Sequence, residues 1–156
     1  MKNILFVCDA NQFRSVIAAE YFRYLLSKNN SLVEWNVGSA GTWATEGQPP
    51  LPEAISFANS RGLSIEHVRS REVSRENLAG AALVVVMTDG QKEALCLEFP
   101  EIKDHVVLLT EICAGQEYDI PDPVENPEEQ FEDLATEICG LLDKGFERVL
   151  DRVSEM

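Results

Sequence analysis

The sequence predicts an α/β fold: a four-stranded parallel sheet in the flavodoxin-like order 2-1-3-4, flanked by helices on both faces. Three features carry this reading. The runs 'KNILFV' (2–7) and 'AALVVVM' (81–87) are apolar without alternation, as in strands buried on both faces of a parallel sheet. Strand patterns alternate with helical patterns, which requires right-handed crossovers. The chain also begins on a strand, and a chain that starts centrally fits this order.

After the first strand, Ile17, Ala18, Tyr21, Phe22, Leu25 and Leu26 recur at three- and four-residue spacing from Ser15 onward, which is one face of a helix. 'LVEWNVGSAG' (32–41) reads as the second strand, with Trp35 in the core, running out into small turn-forming residues. 'LPEAISFANSRG' (51–62) reads as a helix closed by Gly62. 'SRENLAG' (74–80) is a short helix with Ser74 as its N-cap. The third strand, 81–87, leads to a helix from about Gln91 to Phe99, and 'HVVLL' (105–109) is the fourth strand. 'YDIPDPVENPEEQ' (118–130), rich in proline and acid, reads as a stiff exposed loop. A long helix over roughly 127–154 closes the chain, with Phe131, Leu134, Ile138, Leu141, Leu142 and Phe146 on its apolar side.

The 156 residues suit one domain spanning 1–156. A net charge of −14 argues against nucleic acid, whose phosphates need basic patches. It also repels small anions at long range, so any anion site must win through a few local donors. No apolar run approaches the roughly 20 residues of a membrane span, and the N-terminus lacks a secretory signal. A cytoplasmic protein without membrane contact is expected. Cys8, Cys96, Cys113 and Cys139 form no C-x-x-C pair and lie away from His67 and His105, which argues against zinc and against a redox pair. Three of these cysteines fall at apolar positions and read as packing.

Cys8 differs by its place. Ligands of doubly wound sheets bind beyond the carboxyl ends of the strands, and Cys8 ends the first strand. From Cys8 to Ser15 the chain must turn into a helix, bringing backbone N–H groups and the positive end of that helix around one concavity. Arg14 adds a planar fork that matches two phosphate oxygens. Such a ring of donors binds a tetrahedral dianion and stabilises a thiolate at its centre. Asn11 can take a left-handed backbone conformation and brace the loop, while Ser15 can hydrogen-bond the sulfur. The thiolate can then attack phosphorus and form a cysteinyl-phosphate. The leaving group needs a proton, and Asp122, held between Pro121 and Pro123, can supply it. Taken singly, a buried cysteine is usually filler and an Asp-Pro step usually a turn. Their placement together makes the case.

Read along its length, the chain resembles the low-molecular-weight protein tyrosine phosphatases. The segments that carry the likeness are 'VCDANQFRS', 'NVGSAGTWATEGQPPLPEA', 'HVRSREVS', 'VVVMTDGQKEAL' and 'IPDP'. The resemblance implies Cys8 as nucleophile, Arg14 as phosphate-binding arginine and Asp122 as general acid. It makes Asp9, Ala10, Asn11, Gln12, Phe13 and Ser15 the rest of the phosphate loop, and Ser39 a support for Asn11. It implies no metal and no cofactor, with a phosphorylated protein or small phosphomonoester as substrate. Trp43 is either an aromatic wall of the mouth or a loop anchor.

The chain departs from the family pattern at several positions. Ala10 stands where glycine is usual, and Phe13 where a second cysteine is usual. Without that partner, oxidation of Cys8 runs further toward irreversible acids. Asp9 is acidic where an apolar or small residue is common; pointing into the mouth it opposes an anion, and pointing out it is inert. Val124 and Glu125 follow the Asp-Pro step in place of a stacking tyrosine. Gln12 occupies the position that distinguishes phosphotyrosine from phosphoarginine in relatives and matches neither choice. The first expectation is phosphotyrosine hydrolysis. The alternatives are a phosphoarginine phosphatase, a catalytically weak phosphate-binding module, and an arsenate reductase. The last would need two further cysteines close together, whereas Cys96 and Cys113 are separated by a strand.

Overall fold

A computed structural model of the chain describes residues 1–126 and 130–155. Its sheet has four parallel strands in the order β2-β1-β3-β4, as the sequence predicts. β1 (Lys2–Cys8) is central, paired with β2 (Trp35–Gly41) on one side and β3 (Leu83–Val86) on the other. β4 (Val106–Leu108) forms the far edge.

Successive side chains of a strand point to opposite faces, and β1 divides its residues between two cores in this way. Ile4, Phe6 and Cys8 enter a core shared with α1 (Arg14–Lys28), α2 (Pro52–Ser60) and α6 (Phe131–Ser154). Leu5 and Val7 enter a second core with Val84, Val86, Leu95 and Ile102. That second face is covered by α3 (Arg75–Ala79) and α4 (Asp89–Glu98). Parity thus sends Cys8 to the α1 side of the sheet end. Phe22 lies at the centre of the larger core, 5.6 Å from Phe6, 5.5 Å from Trp35 and 5.6 Å from Phe146 between ring centroids.

Several element ends differ from expectation. Leu32–Glu34 is a 3-10 turn, and the strand begins only at Trp35. α4 begins at Asp89, because Thr88 caps it and Gln91 completes a capping box. A short helix, α5 (Leu109–Ala114), follows β4 without a loop and was not expected. It packs against α6 so closely that a Cβ on Gly145 would stand 2.4 Å from Cys113 Cα. α6 begins at Phe131; residues 127–129 of the expected helix lie outside the described residues. The acidic loop is not wholly exposed: Ile120 is buried, and its N–H donates to the carbonyl of Met87 at the end of β3 (3.0 Å). Among the described residues, no helix is long and apolar enough to cross a membrane.

Candidate active site

The turn from β1 into α1 leaves its backbone donors unused. The N–H groups of Asp9 through Val16 make no hydrogen bond to any described residue, the first taken donor being that of Ile17, on Phe13 (2.9 Å). α1 has no side-chain cap. A helix start with free donors is a ready anion site. The turn closes tightly because Asn11 adopts φ 58°, the left-handed conformation its sequence position anticipates.

A chain of hydrogen bonds runs through this turn toward the sulfur. The N–H of Arg71 donates to Asn11 Oδ1 (3.0 Å). Asn11 Nδ2 donates to Ser15 Oγ (2.8 Å). Ser15 Oγ then lies 3.0 Å from Cys8 Sγ. Its lone pair is already engaged by Asn11, so its proton is free to point at the sulfur. All three side chains are buried.

Ser39 is not the direct brace of Asn11. That role falls to the Arg71 peptide and to Ser15, and Ser39 contributes at one remove, its carbonyl accepting from Arg71 Nε (2.9 Å). The 'HVRSREVS' segment thus matters through main-chain groups. Ser70, buried, ties it to the loop after β2: its hydroxyl donates to the Thr45 carbonyl and accepts from Gln48 N–H (2.9 Å). His67 is exposed.

Arg14 is 3% exposed. Its Nη1 donates to the Ile120 carbonyl (2.8 Å), so the acidic loop and the turn from Cys8 to Ser15 meet at this guanidinium. Asp122 Oδ2 lies 3.9 Å from Nη2, while its Oδ1 accepts from Val124 N–H (2.9 Å). Asp9 points neither into the mouth nor freely outward. Its Oδ2 lies 3.2 Å from Arg14 Nη2, and its Oδ1 accepts from Gln91 Nε2 (3.0 Å) and Thr42 Oγ1 (3.4 Å). Sequence reasoning missed Gln91 and Thr42, and the main-chain role of Arg71.

Cys8, Ala10, Gln12, Phe13, Arg14, Leu51, Asp122, Val124 and Glu125 line one cavity of about 260 Å³. Phe13 lines it as well; its ring is buried and packs edge-on against Phe131 (5.2 Å, 86°). Gln12 anchors the rim by donating to the Pro49 carbonyl (2.9 Å) and accepting from Leu51 N–H (2.9 Å). Trp43 is 86% exposed and lines a separate groove with Thr45, Glu72 and Glu98, so it is no wall of the mouth. Its N–H holds the Asp9 carbonyl (2.9 Å). No cluster of three or more His, Cys, Asp or Glu among the described residues is placed to hold a metal ion.

Known proteins share this architecture and much of this sequence. A family described as low molecular weight phosphotyrosine protein phosphatase matches residues 3–155. A relative from Geobacillus stearothermophilus named protein-arginine-phosphatase is 34% identical over 146 residues, covering 94% of this chain and 95% of that protein. The human low molecular weight phosphotyrosine protein phosphatase is 30% identical, covering 84% of this chain and 85% of that one. Among solved structures, a low molecular weight protein tyrosine phosphatase from T. tengcongensis superposes with a TM-score of 0.86 at 33% identity, covering 95% of this chain and 99% of that one.

Proposed function

We infer that this chain, which belongs to the low molecular weight phosphotyrosine protein phosphatase family, is a cysteine-dependent phosphoric monoester hydrolase acting on phosphotyrosine in proteins and on small aryl phosphates. One observation carries the reading: Cys8 and Arg14 of one loop and Asp122, distant in sequence, face one cavity beside a run of unused N–H donors.

The geometry supports a two-step reaction. In the first, Cys8 sulfur forms a bond to phosphorus as the ester P–O bond breaks, and Asp122 gives its proton to the departing oxygen. Arg14 and the loop amides hold the three remaining phosphoryl oxygens, where charge is concentrated. In the second, the Asp122 carboxylate takes a proton from water, whose oxygen attacks phosphorus. The S–P bond breaks and the sulfur leaves as thiolate, with the Ser15 hydroxyl donating to it. All four cysteines are free, the state that a reducing compartment maintains, which supports a cytoplasmic place of action.

The mouth favours a second reading, phosphoarginine. Among the described residues that line the cavity Phe13 is the one aromatic, its ring packed on Phe131; Gln12, Leu51, Val124 and Glu125 complete the mouth. Asp122 and Glu125 present carboxylates that complement a guanidinium, and two relatives, 34% and 31% identical, are named protein-arginine-phosphatase. Hydrolysis of p-nitrophenyl phosphate, abolished by Cys8→Ser and inhibited by vanadate, tests the chemistry. A panel of phosphotyrosine, phosphoserine and phosphoarginine peptides then assigns the substrate. Phosphate binding without turnover would instead make the chain a binding module.

A further inference from the structure

We propose that Asp9 is a positioning residue for this reaction, holding the Arg14 guanidinium from behind while Gln91 holds Asp9. The proposal rests on the phosphatase reading of the site.

Gln91 is buried, and its amide has no freedom to turn. Its oxygen accepts from two peptide N–H groups, those of Met87 (2.9 Å) and Thr88 (3.1 Å), as the closing residue of the α4 capping box. Its nitrogen must therefore face the other way, and there it meets Asp9 Oδ1 at 3.0 Å. The backbone of Asp9 is fixed too. Its carbonyl accepts from Trp43 N–H (2.9 Å) and lies over Gly41, where a Cβ would come within 2.3 Å of it. With Oδ1 held by Gln91 and by Thr42 Oγ1 (3.4 Å), Oδ2 faces Arg14 Nη2 at 3.2 Å.

Counting donors shows what this leaves for substrate. A guanidinium has five N–H donors. One on Nη1 goes to the Ile120 carbonyl and one on Nη2 to Asp9. Nε–H, one Nη1–H and one Nη2–H make no hydrogen bond to a described residue, and these three are what the guanidinium has left for phosphoryl oxygens. Asp9 does not line the cavity, so its carboxylate stands behind the arginine and outside the phosphate's path.

Two effects oppose one another. The negative charge weakens the attraction of Arg14 for an anion. The fixed geometry spares the arginine a search among rotamers and aligns it for the transition state, where misplacement by an ångström costs about a hundredfold in rate. The second effect dominates here, because Asp9 is 44% exposed and its charge is screened by water, whereas Arg14 is 3% exposed and its orientation is set by contacts.

The test compares wild type, Asp9→Ala, Asp9→Asn, and Asp9→Asn combined with Gln91→Glu. Asp9→Ala should lower kcat about 10- to 100-fold, equally for good and poor leaving groups, because Arg14 serves both steps. The paired exchange reverses the polarity of the 9–91 contact and should restore much of the rate lost in Asp9→Asn. Nitrogen-15 spectra should show rotation of the Arg14 guanidinium more hindered in wild type than in Asp9→Ala, where the Ile120 contact alone remains, whether or not the protein turns over. Rotation that is the same in both proteins would overturn the proposal. So would an unchanged kcat with tighter inhibition by inorganic phosphate, which would make Asp9 a competitor for Arg14. Hindered rotation in a wild type that hydrolyses nothing would leave Asp9 in its role and sink the phosphatase reading instead.

Discussion

The Oγ of Ser15 lies 3.0 Å from the Sγ of Cys8 and is itself held by Asn11 Nδ2 at 2.8 Å. The Asn11 bond engages the oxygen and directs the hydroxyl proton to the sulfur, and hydrogen bonds in such a series strengthen one another. The proton is worth most when the sulfur is charged, that is, when it leaves phosphorus in the second step.

Ser15→Ala should therefore slow the breakdown of the cysteinyl-phosphate more than its formation. A hydrogen bond to a charged group is worth about 1.5–3 kcal/mol, or roughly 10- to 100-fold in rate. Stopped-flow hydrolysis of p-nitrophenyl phosphate should show a burst of nitrophenol and then a slower steady state. A variant with wild-type kcat and no burst would remove Ser15 from the mechanism.

Asp122 is assigned a proton that only a poor leaving group needs. Asp122→Ala should cut kcat on phenyl phosphate by about 10²–10⁴ and leave dinitrophenyl phosphate much less affected. The carboxyl is well placed for this: its Oδ1 is fixed by Val124 N–H, and Asp122 lines the same cavity as Cys8. If the slope of log kcat against leaving-group pKa is the same in both proteins, the acid lies elsewhere.

That Cys8, Arg14 and their neighbours share one cavity was legible in the sequence because they are contiguous, Cys8 to Ser15, at a junction that topology marks as special. Asp122 stood out as a candidate for the same cavity through its flanking prolines. The supports were not. Arg71 braces Asn11 with a peptide N–H, and Ile120 holds Arg14 with a carbonyl; main-chain groups leave no mark in a residue pattern. Gln91 did leave one. 'TDGQ' is a capping-box pattern, which would have started α4 at Asp89 and put a buried amide beside the site. The fold was clearest where burial is two-sided, in β1 and β3. It was least clear where short segments are set by tertiary contact, as in α5 and the 3-10 turn before β2.

Gly41 ends β2 under the phosphate loop, and an added Cβ there would stand 2.3 Å from the Asp9 carbonyl oxygen. The neighbour is backbone and cannot swing away. Gly41→Ala should cost about 1–3 kcal/mol as overpacking, with Tm falling about 2–4 °C per kcal/mol, and activity should fall with it. Gly140 in α6 is the contrast, exposed with nothing within 4 Å of the added carbon. Gly140→Ala should stabilise by about 0.5–1 kcal/mol and leave activity alone. Equal Tm for Gly41→Ala and wild type would show that the loop does not press on the strand.

Burial pushes the thiols of Cys113 and Cys139 up to about 12 from 9.0, with Arg148 and Arg61 respectively pulling slightly back. Both groups stay protonated in the folded protein well after the unfolded chain has lost those protons. Between about pH 9 and about pH 12 the unfolded state thus binds fewer protons than the native state, so stability falls as pH rises. The contribution is complete below about pH 9 and is lost through that window, at up to about 1.4 kcal/mol per pH unit for each thiol. Tyr21 and Tyr118 are raised in the same direction, first by burial and then by their bonds to Asp143 and Glu137. They start from 10.0 and add to the decline only at higher pH. Urea unfolding measured just above pH 9 isolates the thiols, and Cys113→Ala with Cys139→Ala should flatten the slope there whatever it does to the absolute stability. Iodoacetamide at neutral pH should spare both residues in the folded protein while reaching Cys8 through its cavity. A pH slope that survives the double substitution, or rapid native-state alkylation of either thiol, would show that the α5–α6 interface is looser than its packing on Gly145 implies.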